Sequence, residues 1–431
     1  MKIAYVIPGS GGSFYCENCL RDIDLVNAIR GLGHDVIIVP MYLPFFAGDN
    51  DIDGSLPLFY GAINTYLMYK LPFLRKAPAW FTRIFDSPAL LHAAAKKAGS
   101  TRAVTLGEMT ISLLQGEEGE HAVELNRLVS TLHDDVQPDL VHLSNALLLG
   151  LAGQIKQKLR VPLTCSLQDE DTWVDAMHSH HAEQVWRMMS EKAEYVDAFF
   201  PVSRYYARKM QNLMHLPEER LHVAHVGVDT ELFKPGEPSF NPPVIGFLSR
   251  MSESLGLGLL AEAFIHLKRD PSLSDARLHI SGGQTSDDSK FIATMTKRFK
   301  AEGVLKDVEI VQDFDKESRI RFLSNLSVLS VPALTEHAFG SYVFEAMALG
   351  IPVAQPELGA FPELIGETGG GIVYSPNDVE MLTTSLKSIL CNHEKATELG
   401  KQGSKTVHRK FGLKTTARKI LDVYQSCLMK K

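Results

Sequence analysis

Residues 3–40 run apolar strand, glycine-rich turn, helix and apolar strand in direct succession. IAYVIP (3–8) is a continuous apolar run that stops at Gly9-Ser10-Gly11-Gly12. LRDIDLVNAIRGLG then has a helical pattern closed by Gly31 and Gly33, and HDVIIVP (34–40) opens a second apolar run. Glycine closes a helix because it enters the left-handed region without a Cβ penalty. Two strands joined through a helix form a βαβ unit, which sets them parallel in a sheet covered by helices. The fold class is therefore α/β.

The alternation continues down the chain. DLVHLS (139–144), VPLTCSL (161–167), DAFFPVS (197–203) and LHVAHVG (221–227) read as further strands with helical stretches between them. Residues 1–233 are expected to form one doubly wound, Rossmann-like domain with an insertion at 43–120. KPGEPSFNPP (234–243) has four prolines and reads as a linker. VIGFLSR (244–250), the helix LGLLAEAFIHLK, and the runs LHISGG (278–283), VEIVQDF (308–314), LSVLSVPA (326–333) and IPVAQPE (351–357) make a second Rossmann-like domain over 244–403. One core rarely grows past about 250–300 residues, so a 431-residue chain agrees with two domains. In the last stretch, 404–431, Ala417, Ile420, Leu421, Tyr424 and Leu428 fall at i, i+3, i+4 spacing. That spacing makes an amphipathic helix, expected to cross back to the N-terminal domain.

Composition narrows the function classes. The chain is 45% hydrophobic and 22% charged, which excludes disordered and coiled-coil readings, and its net charge of −7 argues against a nucleic-acid partner. Five scattered cysteines are not a disulfide framework. The apolar start is too short for a signal-peptide core, and the longest charge-free runs, 54–69 and 140–155, fall short of the ~20 residues a membrane span needs. A cytoplasmic protein is expected. The aromatic, proline-rich stretch 43–85, with Lys70, Arg75 and Lys76, is either an insertion packed on its own domain or an acceptor or membrane-surface loop at the inner membrane face.

In open α/β sheets ligands bind beyond the carboxyl ends of the strands, so two such domains should hold chemistry in a central cleft. The Gly11–Gly12 turn after the first strand lets backbone approach an anion, although its spacing is neither GxGxxG nor a Walker A loop. Arg250 ends the strand VIGFLSR and supplies a cation. Farther on, SVPALTEHAFGSYVFEAMALG (330–350) passes from a strand through a polar stretch into a short helix. The amides of Phe339, Gly340, Ser341 and Tyr342 should face an anionic group there. Glu345, one turn inside, can accept hydrogen bonds from ribose hydroxyls.

These segments resemble a family-4 glycosyltransferase of the GT-B fold. The resemblance rests on PGSGG after a strand, VSRYYA…VGVDTELF (202–233), GFLSR followed by GLGLL, and FGSYVFEAMALGIPVAQPELGAFPELI. It implies a hexosyltransferase-type enzyme that takes a sugar from a nucleotide-diphosphate donor with retention of configuration. The donor serves as co-substrate, with no bound cofactor or metal required. It further implies donor binding by the C-terminal domain and acceptor binding by the N-terminal one. In the family an Arg and a Lys five residues apart contact the diphosphate; Arg250 matches the first, and Leu255 stands in place of the Lys. Of the family's two glutamates separated by seven residues, Glu345 matches the second and His337 occupies the first, with Glu336 beside it. The resemblance thus assigns His337, Glu336 and Arg250 to catalysis. A family His-Asp pair becomes Gln168-Asp169, which with His142 marks the acceptor side. The departures at Leu255 and His337 keep two other readings open: a non-catalytic subunit, partner to another glycosyltransferase, and an epimerase or hydrolase of the same architecture.

Other groupings have plainer explanations. Cys16 and Cys19 have CxxC spacing but no second pair, which favours packing over zinc. Asp175, His178, His180 and His181 read as a solvated helical face before a metal site. Trp173 is core before it is an acceptor platform. Glu363 reads as a helix-start carboxylate, and His142 fits a satisfied strand-end histidine as well as a cleft residue.

Overall fold

A computed structural model describes residues 1–8, 17–41, 106–284, 286–311, 313 and 315–430. The chain divides into two compact units, Met1–Ala224 with Ala417–Lys431, and His225–Thr416.

The first unit is built on β1 (Lys2–Ile7), β2 (Asp35–Pro40), β3 (Leu140–Leu143), β4 (Leu163–Leu167) and β5 (Ala198–Pro201), in the order β2-β1-β3-β4-β5. Every pairing is parallel. β3, β4 and β5 are buried along their whole length. Helices cover both faces of such a sheet, which is why its strands read as unbroken apolar runs and not as alternation. The helix Glu17–Gly31 completes the first βαβ unit. Ala417, Ile420, Leu421 and Tyr424 join Ile3, Tyr5, Leu25, Ile29 and Phe200 in one core cluster, so the end of the chain returns to the first unit.

The second unit carries β6 (Val244–Leu248), β7 (Arg277–Ser281), β8 (Val308–Val311), β9 (Val328–Leu329), β10 (Val353–Pro356) and β11 (Gly371–Tyr374). Their order is β11-β10-β9-β6-β7-β8, again all parallel. The chain runs outward from β6 to β8, then returns to the other side of β6 for β9. The order therefore reverses between β6 and β9, and the loops leaving those two strands sit at a topological switch point.

Three elements differ from the sequence expectation. Residues 221–227 do not form a strand: the backbone bonds His222 N to Phe199 O and Ala224 N to Pro201 O, both 2.9 Å, and makes one isolated bridge. The chain passes into the second unit at His225 before a ladder can extend. The helical stretch expected from residue 404 is two helices, His393–Lys410 and Leu413–Met429. At the break, Phe411 O accepts from Val228 N at 2.9 Å and Leu413 N donates to Val228 O at 2.8 Å, so backbone groups that would continue the helix pair elsewhere. Residues 234–243 lie within the second unit, with Gly236 N donating to Leu349 O at 2.9 Å. Among the described residues no helix is long and apolar enough to cross a membrane.

Candidate functional site

In the second unit the loops after β6 and β9 are tied together. Leu334 N donates to Ser254 O at 2.9 Å. Gly256 has φ +75°, and a Cβ there would overlap the Pro332 carbonyl, so only glycine permits this approach. Leu255 is half-buried in this loop.

Arg250 follows β6, and its guanidinium meets Asp288 in a fork, Nε to Oδ2 at 3.0 Å and Nη2 to Oδ1 at 3.1 Å. Asp288 immediately precedes the helix Ser289–Ala301 and is buried, whereas the Arg250 side chain is 41% exposed. The bidentate geometry fixes the orientation of the cation. Sequence reading missed Asp288, because nothing local marks which carboxylate an arginine will find.

The segment after β9 runs through Glu336 and His337 to Gly340, which precedes the helix Ser341–Ala348 in extended backbone and offers no side-chain cap. A first helical turn leaves N–H groups without intrahelical acceptors, so this end suits an anion. Phe339 and Tyr342 are buried beneath it. Glu336 is exposed. The backbone of His337 is clamped: its carbonyl accepts from Ala360 N at 2.9 Å, and Gly359, at φ +56°, packs directly on it. Its ring lies 6.3 Å from that of Phe361, and its Nε2 is buried with no hydrogen-bond partner among the described residues. Burying a polar atom unpaired costs free energy, so this nitrogen suits a ligand hydroxyl.

Glu345 is placed otherwise than as an open carboxylate. It is 8% exposed and held by Arg319, itself 2% exposed, through Nε to Oε2 at 3.2 Å and Nη2 to Oε1 at 2.9 Å. A ribose hydroxyl would have to share oxygens already committed to Arg319. The pair was not legible, because Arg319 sits on the separate helix Lys316–Ser324.

In the first unit the carboxyl ends of β1, β3 and β4 meet in a buried polar network. Gln168 Nε2 donates to Ser144 O at 2.6 Å, its Oε1 accepts from Arg21, and its backbone N–H donates to Glu170 Oε2 at 2.7 Å. Arg21 also donates to Ser166 Oγ at 2.9 Å, and Tyr5 donates to Asp22 at 3.0 Å. Burial pushes the Asp22 carboxyl up to about 6, although Arg21, Tyr5 and Gln168 pull it the other way. Glu170 accepts from Ala146 N at 2.9 Å and from the Tyr206 hydroxyl at 2.8 Å, yet burial pushes its carboxyl up to about 7. Asp171 is paired with Lys209 at 2.6 Å. Asp169 adopts φ +66°, a left-handed conformation at the turn into the helix Glu170–Val174. Arg21 and Asp22 were missed because a helix reading treats charged positions as its solvent face.

His142 does not face a ligand. It is fully buried against Tyr5, Phe200 and Tyr424, and both ring nitrogens are satisfied, Nδ1 by Thr164 Oγ1 at 2.9 Å and Nε2 by Ser166 Oγ at 3.0 Å. Burial, with Arg21 nearby, holds it well below the usual histidine range. The strand-end histidine is therefore a core residue, which corrects its placement on the acceptor side. Gly11, Gly12, Cys16 and most of the insertion lie outside the described residues, as does the side chain of Cys19. Trp173 is half-buried. The rings of His180 and His181 lie 3.9 Å apart, tilted by 47°, and line a cavity of about 470 Å³ with Glu108, Glu120 and His121. Among the described residues they bring no third ligand within reach of a single ion.

Residues 228–406 match the family model described as glycosyl transferases group 1, and residues 110–232 match glycosyltransferase family 4. The MMP alpha-(1->4)-mannosyltransferase of Mycolicibacterium hassiacum is 29% identical over 213 residues, 49% of each chain. The chain spans about half the length of the curated relatives it matches, 49–58% for three of them. Sucrose-phosphate synthase from Thermosynechococcus elongatus superposes with a TM-score of 0.73 at 16% identity, covering 100% of both chains. Anabaena HepE in complex with UDP gives 0.68 at 17% identity, covering 99% of this chain and 100% of its own. Two parallel Rossmann-like sheets with these neighbours, and glycosyltransferase models matched across 110–406, give the chain the GT-B fold of the glycosyltransferases.

Proposed function

We propose that the protein is a hexosyltransferase that moves a sugar from a nucleotide-diphosphate donor to a hydroxyl acceptor with retention of configuration. The observation that carries this reading is the switch point of the second unit. Arg250 follows β6, and the His337 nitrogen and the start of the helix Ser341–Ala348 follow β9; the two loops are tied to one another by Leu334 N and Ser254 O, inside the group 1 match.

The donor diphosphate would rest on the Phe339–Tyr342 amides and Arg250. Preorganised donors of this kind stabilise charge as it develops on the leaving group. Glu345 would hold the ribose while remaining bonded to Arg319, and His337 or Glu336 would take the sugar hydroxyls. The acceptor, a glycan, lipid or small molecule, would enter along the 43–120 insertion and the Gln168–Asp169 turn. The leaving diphosphate would help take the proton from the acceptor hydroxyl on the same face, which needs no covalent enzyme nucleophile and no cofactor. Peripheral contact at the inner membrane face would run through 43–85, which co-sedimentation with anionic vesicles tests.

Leu255 and His337 favour a second reading, a binding subunit without turnover. Incubation with UDP-, GDP- and ADP-sugars, followed by thermal shift and nucleotide release, separates the two. The transferase reading expects a stabilising donor and acceptor-dependent release; stabilisation without release across acceptors would establish the second reading.

A further inference from the structure

We propose that Arg319 is a positioning residue for the nucleotide donor: its guanidinium fixes the Glu345 carboxylate in one orientation, with an edge of that carboxylate left to accept the ribose hydroxyls. The inference rests on the donor reading given above and adds to it the residue that readies Glu345 for the ribose.

The helix Ser341–Ala348 is buried from Tyr342 to Ala348, and Glu345 is the one charged side chain in that run. Val343, Phe344, Ala346 and Met347 on either side of it are apolar and buried. Taking a carboxylate out of water among such neighbours is costly, and apolar residues of similar volume commonly serve a buried position as well as an ion pair does. Stability alone therefore does not call for Glu345 here. The compensating charge comes from a fixed base, the helix Lys316–Ser324. Asp315 caps that helix, accepting from Ser318 N at 2.9 Å and from Ser318 Oγ at 2.7 Å, and Arg319 N donates to Asp315 O at 2.9 Å.

The contact does more than neutralise. Nε and Nη2 of Arg319 meet different oxygens of Glu345, at 3.2 and 2.9 Å. The terminal torsion of a glutamate is broad, and a pair of parallel hydrogen bonds stops a rotation that a single one permits. The fork takes one acceptor position on each oxygen, whereas a carboxylate offers about four. No other hydrogen bond reaches these two oxygens among the described residues. The Glu345 side chain keeps 10% of its surface exposed, so neighbouring hydroxyls of one ribose can use the remaining positions while the fork stays closed. An acceptor already fixed loses less freedom when the ligand binds. A lysine would supply the same charge as a point, without the fork.

Arg319→Lys in the full-length chain separates charge from orientation. UDP, GDP and ADP are titrated against the wild type by calorimetry, and the nucleotide that binds is compared with its 2′,3′-dideoxy analogue. We expect the wild type to prefer the ribonucleotide roughly 10- to 100-fold, the worth of a charge-assisted hydrogen bond. Arg319→Lys should lose most of that preference by weakening the ribonucleotide and leaving the dideoxy analogue unchanged. A purely structural role would weaken both alike and keep their ratio. If Arg319→Lys does not fold, the ratio is compared between Glu345→Gln, whose amide oxygen Arg319 can still hold, and Arg319→Met combined with Glu345→Gln. Part of the preference should then remain in the first and none in the second. A wild type that binds none of the three nucleotides removes the donor reading and this inference with it. Binding without preference for the ribonucleotide refutes the ribose contact. An undiminished ratio in Arg319→Lys, or equal ratios in the second pair, overturns the role of Arg319 alone and leaves the donor reading standing.

Discussion

Replacing Glu170 by Gln should flatten the pH dependence of stability of the first unit just below neutrality. Its carboxyl is buried among Ala146, Gln168 and Tyr206, and burial raises it from 4.5 to about 7. An acid with a raised folded pKa binds more protons folded than unfolded, so its effect runs opposite to that of a salt-bridged carboxylate. Stability is greatest below pH 4.5 as far as this group is concerned and falls as pH rises through 7. The whole shift corresponds to roughly 3 kcal/mol at 1.36 kcal/mol per unit. Asp22 behaves in the same way, but its window closes at about 6. Glu170 is therefore isolated between pH 6 and 7, where the folded state holds most of a proton and the unfolded state almost none. Integrating over that interval gives a wild-type loss of about 1 kcal/mol that Glu170→Gln should lack. All three tryptophans, Trp80, Trp173 and Trp186, fall in the sequence of the first unit, so urea unfolding followed by tryptophan fluorescence reads this unit selectively. Equal slopes for wild type and variant between pH 6 and 7 would refute the reasoning, whatever their absolute stabilities.

Three further predictions concern the second unit. Arg319→Met strands the Glu345 carboxylate in a buried site and should cost about 3–5 kcal/mol, read as a lowered calorimetric transition. Adding Glu345→Gln should recover much of that loss, because the stranded charge disappears. Gly256→Ala places a Cβ against the Pro332 carbonyl at a positive φ and should cost on the order of 1–3 kcal/mol, with chemical denaturation as the measure. Leu255→Lys together with His337→Glu should strengthen nucleotide-sugar binding roughly 10- to 100-fold, the worth of one charge-assisted hydrogen bond. Unchanged binding in a donor titration would show that this loop no longer grips a diphosphate.

Much of the fold was legible because most strands are short apolar runs, several of them closed by glycine or proline. The helix read as LGLLAEAFIHLK spans Leu257–Lys268 in the structure, and the spacing of Ala417, Ile420, Leu421 and Tyr424 marks the face that packs on the first unit. The exceptions have separate causes. LHVAHVG is as apolar as a strand, but the chain leaves the sheet at His225, and no composition signals a change of unit. β11 was not read because Gly371–Tyr374 has four residues and only its last is buried, which leaves little apolar pattern to see.

The site was legible only in its positions, because a charged residue is defined by a partner that sequence spacing does not supply. Arg250 was read as a cation offered to a ligand; 38 residues away in sequence, Asp288 already holds its guanidinium in a fork. Glu345 was read as an acceptor for ribose; Arg319, 26 residues upstream, occupies both its oxygens. Gln168 was read as facing an acceptor; Arg21, 147 residues before it, binds its side chain. In each case the residue's place beside a strand or within a helix was legible, while its resting partner was not. The difference bears on chemistry. A buried Asp288 can pair with Arg250 only while that pairing compensates its desolvation. A diphosphate that uses Arg250 must therefore share the guanidinium with Asp288, whose negative charge lies beside the donor's own. On the proposed reading, with Leu255 in place of a second cation, donor affinity would depend on backbone amides at the Ser341–Ala348 helix start more than on side-chain charge. Salt should then weaken donor binding less than it would weaken a site built on two exposed cations.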